Sequence, residues 1–396
     1  MATSADSVLK PDHGASRKHF IFTDEHEQLR ESIRSYAIKE LAPHADEWEE
    51  TTFPDSVFTR MGELGFLGLD KPEEYGGQGG DYYTAIVLAE EMVHAQCGGL
   101  AMGVAVQTDM ALPPILAFGT EEQKQEWAVP AIAGTKILAL GITEPDAGSD
   151  VAGIKTRAVR DGDEYVINGS KTYITNGHRA DVIVLVAKTD PDAGHDGVTL
   201  FLVPMDAPGV ILEKKLDKLG MRASDTALMA FQDVRVPASA VLGEVGKGFY
   251  HIMWELQSER IAAAAGGVAA AQRVFDQTLK YALERTAFGR QIGKFQVTRH
   301  KFAEMATKIE AARQMVYATA WRIGNGEYPV REISMAKLYS SRIAVEVADE
   351  CIQIHGGAGY MKEYGVERVW RDLRLNRIGA GTDEIMLEVI GRSYGL

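Results

Sequence analysis

The spacing of apolar positions changes twice along the chain. From residue 22 to about 137 it is helical. Leu29, Ile33, Tyr36 and Leu41 follow Thr23, which reads as an N-cap with Asp24 and Glu25 in the first turn. Further helices are predicted over residues 57–67 and 83–94, after Pro113-Pro114 and after Thr120, with the Gly-rich run 74–80 as a loop. From about 138 to 245 the period falls to two. Residues 165–167, 172–175, 181–187 and 198–203 read as strands, and Asp161-Gly162, Asn168-Gly169 and Asn176-Gly177 as turns. Strands this closely spaced, with no helix between them, predict an antiparallel sheet or barrel, not βαβ units. From 246 onward the pattern is helical again. One long run covers 249–285, interrupted at Gly266-Gly267, and later helices flank Pro329.

These switches predict a disordered tail at 1–21, a helical domain at 22–137, a β domain at 138–245 and a helical domain at 246–396. A length of 396 residues agrees, since ~150 residues per domain gives two to three. The 42 Lys and Arg against 56 Asp and Glu leave a net charge of −14, which excludes a basic nucleic-acid-binding face and argues against an anionic membrane surface. The first twenty residues hold no apolar run and include Asp6 and Asp12, unlike a signal or transit peptide. The longest apolar stretch, residues 261–271, is short of the ~20 residues a membrane span needs. Cys97 and Cys351 are the only cysteines, which fits a reducing compartment, and a cytoplasmic location is expected.

Familiar chemical motifs are missing. No Gly-x-Gly-x-x-Gly opens a βαβ unit, no P-loop or Gly-x-Ser-x-Gly elbow occurs, and no His/Cys cluster has zinc spacing, so no metal is expected. Five segments stand out instead. Residues 139–150 (ALGITEPDAGSD) begin the β region with small and hydroxyl-bearing side chains that let a ligand approach. Residues 172–177 (TYITNG) end a strand in a turn, 284–289 (ERTAFG) end a long helix, and 353–360 (QIHGGAGY) break two helices apart. Residues 378–385 (IGAGTDEI) precede the last helix, which Thr382 would cap; backbone N–H groups at such a terminus can bind an anion or a polarised oxygen. Each segment alone is also compatible with an ordinary turn or cap. One carboxylate is out of place as well. At ~100° per residue, Glu259 falls about 20° from Ile252, about 40° from Ala263 and about 60° from Leu256, on an apolar face. It is either a functional group or half of an internal ion pair with Arg260 or another Arg.

Taken together, the segments resemble the acyl-CoA dehydrogenase family over nearly the whole chain. Thr143-Glu144-Pro145 with residues 147–150 matches one family motif, and residues 353–357 with Arg371-Asp372 a second. Residues 219–224, 234–237 and 285–289 also fit, in order. The resemblance implies a helical N-terminal domain, a middle antiparallel β-barrel and a C-terminal four-helix bundle. It implies FAD bound without a Rossmann fold, a homotetramer built as a dimer of dimers, and an electron-transfer flavoprotein as partner. By resemblance Leu140, Gly141, Ile142, Thr143, Ser149, Tyr173, Ile174 and Thr175 line the flavin, with Tyr173 in place of a common Trp. Arg285, Phe288, Phe295, Gln296, Gln353, Ile354, Gly356 and Gly357 would hold its adenosine and pyrophosphate, partly from a neighbouring subunit, and Thr382 and Glu384 would complete the cofactor site. Ser149, Tyr250, Gln257, Arg260, Ala380 and Gly381 would contact the acyl-CoA, whose phosphates need local donors such as Arg260 against the overall charge.

Many family members carry the catalytic base in a Glu-Gly-Thr triplet before the last helix. Here the triplet is Ala380-Gly381-Thr382. The isovaleryl-CoA and long-chain branches place the base in a Glu-Arg pair on the first helix of the C-terminal domain, where Glu259-Arg260 lies. The implied reaction is removal of the pro-R α-proton by Glu259 and transfer of a β-hydride to flavin N5, giving a trans-2-enoyl-CoA. That places the chain in fatty-acid β-oxidation or branched-chain amino-acid catabolism. A flavin oxidase or monooxygenase on the same scaffold, and a non-catalytic acyl-CoA- or FAD-binding protein, remain alternatives on the sequence.

Overall fold

The computed structural model describes residues 19–396. Most of the expected tail, residues 1–18, therefore lies outside the described residues. Residues 19–21 belong to the fold: Ile21 is buried in the C-terminal helical core, and His19 Nε2 lies 3.2 Å from Gln314 Oε1. Helix α1 (Asp24–Tyr36) starts at the expected cap. The Thr23 hydroxyl accepts from His26 N while the Thr23 N–H donates to His26 Nδ1 at 3.0 Å, a reciprocal box with His where Glu is usual. Arg30 ties α1 to α2 (Tyr82–Glu91) by donating to Glu90 at 2.7 Å and Glu91 at 2.8 Å.

Helix α3 (Gly98–Ala105), a π-helical turn (Val106–Ala111) and α4 (Leu112–Phe118) form one continuous run. By length and composition it could cross a membrane, which the sequence reading did not anticipate because Gln107, Thr108 and Asp109 interrupt the apolar positions. It packs inside the protein instead, with Leu100, Val104, Leu112 and Ile115 buried.

The middle domain is an eight-stranded sheet. Its strands are β1 (Leu138–Gly141), β2 (Arg157–Asp161), β3 (Glu164–Thr175), β4 (Val182–Lys188), β5 (Val198–Pro204), β6 (Val210–Lys215), β7 (Thr226–Pro237) and β8 (Val241–Leu242). The order is β6-β7-β3-β2-β4-β5-β8, with β1 beside β4. The sheet is not closed into the expected barrel, and it is not wholly antiparallel. β1 runs parallel to β4, and β2 meets β4 at the single parallel pair Arg157–Lys188. Val182, Val184 and Val186 of β4 enter one core and Ile183, Leu185 and Ala187 the other, so a strand buried on both faces reads as an unbroken apolar run. Asn168-Gly169 is not a turn. It lies inside β3 at a register shift against β7, where Asn168 and Asp233 exchange hydrogen bonds of 3.0 and 2.9 Å. Asp161-Gly162 does turn, joining β2 to β3.

Helix α5 (Gly248–Glu284) is 37 residues long, about 55 Å, and continuous through Gly266-Gly267. The expected interruption is absent, and neighbours pack against those glycines. A Cβ at 266 would stand 3.3 Å from the Ala89 carbonyl oxygen, and one at 267 would stand 3.1 Å from Asn376 Nδ2. With α6 (Gln296–Gly324), α7 (Val330–His355), α8 (Val366–Leu373) and α9 (Asp383–Arg392) it forms the C-terminal bundle around Ile261, Val268, Ile309, Val316 and Val347.

Candidate active site

β1 ends at Gly141, and the loop that follows is fixed from beneath. The Thr143 carbonyl accepts the Thr172 N–H at 2.9 Å, joining the first motif to β3. Lys171, fully buried, donates to the Ile142 carbonyl at 2.9 Å and to Glu144 Oε1 at 2.8 Å. Glu144 also accepts the N–H groups of Lys155 at 2.6 Å and Thr156 at 3.0 Å. Burial pulls the Lys171 ammonium down to about 8, with Glu144 opposing. Burial likewise works against the Glu144 charge, yet Lys171 and the neighbouring donors hold its carboxyl below the ordinary range. A register shift between Lys171 and Ile174 turns Tyr173 outward at φ 63°, 69% exposed. Ile174 is buried in the sheet core. Asn176 donates to the carbonyls of Gly103 (2.9 Å) and Leu138 (3.3 Å), setting the end of β3 against α3. The result is an exposed aromatic face flanked by Thr143 and Thr175 on a rim fixed by buried bonds.

A second cluster forms where α5 meets the loop before α9. Glu259 is buried, and among the described residues it makes no ion pair within 4 Å, although Arg260 and Lys337 are the cations nearest in effect. Burial pushes its carboxyl up to about 7; Arg260 and Lys337 oppose this and Asp109 adds to it. Arg260 is also buried. Its Nε donates to the Ala380 carbonyl at 3.0 Å and its Nη1 to Gln257 Oε1 at 3.4 Å, so it shapes the loop and does not sit exposed for a phosphate. Lys337 donates to the Gly381 carbonyl. Ala380 and Gly381 have φ of 56° and 96°, and Thr382 caps α9 by accepting the Ile385 N–H. Asp383 anchors the same turn to Arg342 at 3.0 Å and Arg377 at 2.8 Å. Among the described residues nothing accepts the Ala380 N–H. A free donor held in a strained turn beside a raised carboxyl is what stabilising a developing oxyanion requires.

Glu259 opens onto a cavity between α2, α3, α5 and α8. Its walls are apolar and mostly small: Ala101, Ala105, Ala262, Ala263, Gly266, Gly267 and Ala270, with Leu88 and Met92 opposite and Arg273 and Asn376 at the far end. A second cavity meets it at Asp109 and Ala262, and is lined by Trp254, Gln257, Ser258 and Tyr328. Burial pushes Asp109 up to about 6.

The remaining expected residues fall into separate places. Ser149 and Glu384 are exposed, on the first motif's loop and the first turn of α9. Tyr250 is half exposed on the first turn of α5, and Gln257 is buried, donating to the Met253 carbonyl at 2.8 Å. Arg285 and Phe288 lie on the hairpin after α5, and Phe295 and Gln296 cap and open α6; Phe288 is 95% exposed at φ 52°. Tyr281 stacks on His355 at 4.3 Å and so brings Gln353, Ile354, Gly356 and Gly357 to the same end of the bundle. That end is about 39 Å along α5 from Glu259. One chain therefore assembles the aromatic platform and the carboxyl cluster, but holds the third set far away.

Sequence reasoning missed Asp109, Lys171, Lys337 and Glu255. The polar break Gln107-Thr108-Asp109 in an apolar run was a visible signal for the first. Nothing local marks Lys171 and Lys337, whose partners are distant in sequence, and Glu255, one turn before Glu259, becomes distinctive only through its burial. Among the described residues no group of three or more His, Cys, Asp and Glu side chains is placed to hold a metal.

Comparison with known proteins agrees with the geometry. The acyl-CoA dehydrogenase N-terminal, middle and C-terminal domains match residues 23–135, 139–234 and 246–395. The chain is 44% identical to the probable acyl-CoA dehydrogenase YngJ of Bacillus subtilis, over 94% of this chain and 99% of that one. It is 40% identical to the mitochondrial long-chain specific acyl-CoA dehydrogenase of Sus scrofa, over 94% and 87%. The crystal structure of an acyl-CoA dehydrogenase from Geobacillus kaustophilus superposes with a TM-score of 0.93 at 42% identity, covering 96% of this chain and all of that one. With three domains matched in order and relatives aligned end to end, the chain belongs to the acyl-CoA dehydrogenase family.

Proposed function

We propose that Glu259 is the base of an FAD-dependent dehydrogenation of a long-chain acyl-CoA, with the thioester oxygen held by the Ala380 N–H. The observation that carries this is the Glu259 carboxyl itself. It is buried, makes no ion pair within 4 Å, and stands at the head of an apolar cavity beside a free N–H. The α-proton of a thioester is weakly acidic, so base and oxyanion donor must act together. A carboxyl raised to about 7 is matched to that task near neutral pH.

The residues fit a flavin. Tyr173 offers an exposed aromatic face beside two threonines, and Gly356 and Gly357 leave open space where a Cβ would stand. When bound, the cofactor supplies the acceptor for the β-hydride. Thr143 and Thr175 would hold its ring and Thr382 its edge. The distant set at Arg285, Phe288, Gln353 and Gly356 would serve a flavin seated on another copy's platform, which gives exposed Phe288 and Tyr360 a cover and makes the working unit a homo-oligomer, read here as a tetramer. The second cavity, between Trp254, Gln257 and Tyr328, would take the CoA arm, and an electron-transfer flavoprotein would take the electrons.

The acyl group would lie along the small-residue groove. From Glu259 to Arg273 the helix rises about 21 Å. Side chains lean back toward the helix N-terminus, leaving roughly 15–20 Å. At about 1.3 Å per carbon for a staggered chain of ~1.5 Å bonds, that holds roughly twelve to sixteen carbons.

The test is Glu259→Gln in the holoenzyme, mixed anaerobically with saturated acyl-CoAs while flavin bleaching is followed. Reduction should slow by about 10²–10⁴-fold. A variant that bleaches as fast as wild type removes Glu259 as the base. If wild type is bleached by no acyl-CoA, the protein is a binder and not a dehydrogenase.

A further inference from the structure

Helix α5 carries a second buried carboxyl that the reaction above leaves unused. Glu255 stands one turn before Glu259, is 0% exposed, lines neither cavity, and has no donor at hydrogen-bond distance from either oxygen. The groups facing it are Glu259 and Arg260 on its own helix and Asp109 from the π-helical turn packed against α5. Among the described residues Glu255 makes no ion pair with a Lys or Arg, and Arg260 is engaged by Ala380 and Gln257. An isolated carboxylate in such a place is far more costly than the neutral acid. Burial first, then Glu259, pushes the Glu255 carboxyl well above its usual range. A neutral carboxylic acid has one O–H to donate, and residues four apart on a helix are neighbours, so the Glu259 carboxyl is the acceptor within reach.

We propose that Glu255 is a positioning residue, a permanently protonated acid that shares its O–H with the Glu259 carboxylate and thereby aims the base into the acyl cavity and keeps it ionised near neutral pH. The inference rests on Glu259 being the base. It gives the base a donor that no cation supplies, without placing a second charge in a dry site. Were Glu255 ionised instead, it would repel the Glu259 charge, so the two cases predict opposite shifts.

The experiment compares wild type, Glu255→Gln and Glu255→Leu as holoenzymes, measuring kcat/KM for a saturated acyl-CoA against pH. Leucine removes the donor at similar volume, and the acid limb should move up by about one to two pH units, with the rate recovered at high pH. Glutamine keeps an N–H donor and should hold the limb within about half a unit of wild type. A limb that stays in place or moves down in the Leu variant overturns the proposal. A second readout needs no turnover. Infrared spectra at pH 8.5, where Glu259 and Asp109 have ionised, should show a protonated-carboxyl C=O band that Glu255→Gln removes. Absence of that band in wild type also overturns the proposal, even if the Leu variant fails to fold. If Glu259→Gln bleaches normally while the band behaves as stated, the base assignment has failed and the protonated Glu255 has not.

Discussion

Replacing Ala270 by Phe would close the acyl groove from its far end. Ala270 lines the cavity eleven residues beyond Glu259, about 16 Å along α5. A benzyl side chain there leans toward the helix N-terminus, so the usable length falls to roughly 12 Å, with room for four or so fewer methylenes. Each buried methylene contributes about 0.8 kcal/mol, so a chain that needs the lost space forfeits ~3 kcal/mol, or ~200-fold in kcat/KM. The assay is kcat/KM for a series from butyryl-CoA to palmitoyl-CoA, using an artificial electron acceptor. Butyryl-CoA and hexanoyl-CoA should be turned over as by wild type, while palmitoyl-CoA falls by about two orders of magnitude. Thermal melting of the same sample checks for overpacking, which should stay within ~1–3 kcal/mol. If palmitoyl-CoA and butyryl-CoA decline together, or neither declines, the acyl chain does not run along this face of α5.

Other consequences concern pH, the buried ion pair and assembly. Because Glu259 must lose its proton to act and its carboxyl is raised to about 7, kcat/KM should rise with pH through that value. The same shift has a stability sign. A carboxyl raised in the folded state stabilises fully only below its unfolded value near 4.5, and that contribution is lost as pH rises through about 7; Glu259→Gln should therefore melt above wild type at pH 8 but not at pH 4, by calorimetry. Lys171→Met leaves Glu144 buried without its cation and should destabilise by about 3–5 kcal/mol in urea unfolding, with weaker flavin retention because the Thr143 loop loses its support. Phe288→Asp should lower both the mass measured by sedimentation and the flavin content, since a charge would replace the exposed ring at the proposed contact between copies; an unchanged assembly would place that contact elsewhere.

The linear sequence by itself determined the α–β–α order, the Thr23, Thr120 and Thr382 caps, the β4 and β5 strands, and the placing of Glu259 on an apolar helix face. All of these are set by neighbours within a few residues, through period, cap and turn chemistry. What contacts between distant segments decide was not legible. Asn168-Gly169 carries a strong turn signal, yet pairing with β2 and β7 keeps it extended as a bulge. Gly266-Gly267 should weaken a helix, yet the helix runs on through it with Ala89 and Asn376 packed against it. The open sheet follows from where β6 and β8 end, which no strand announces alone. In the site, Glu259 was visible as an anomaly of pattern. Its raised carboxyl, the free Ala380 N–H and the unpartnered Glu255 were not, because each depends on which groups from 109, 337 and 380 surround α5. Burial and the charges facing a group set its chemistry, and both exist only after the helices and loops have packed.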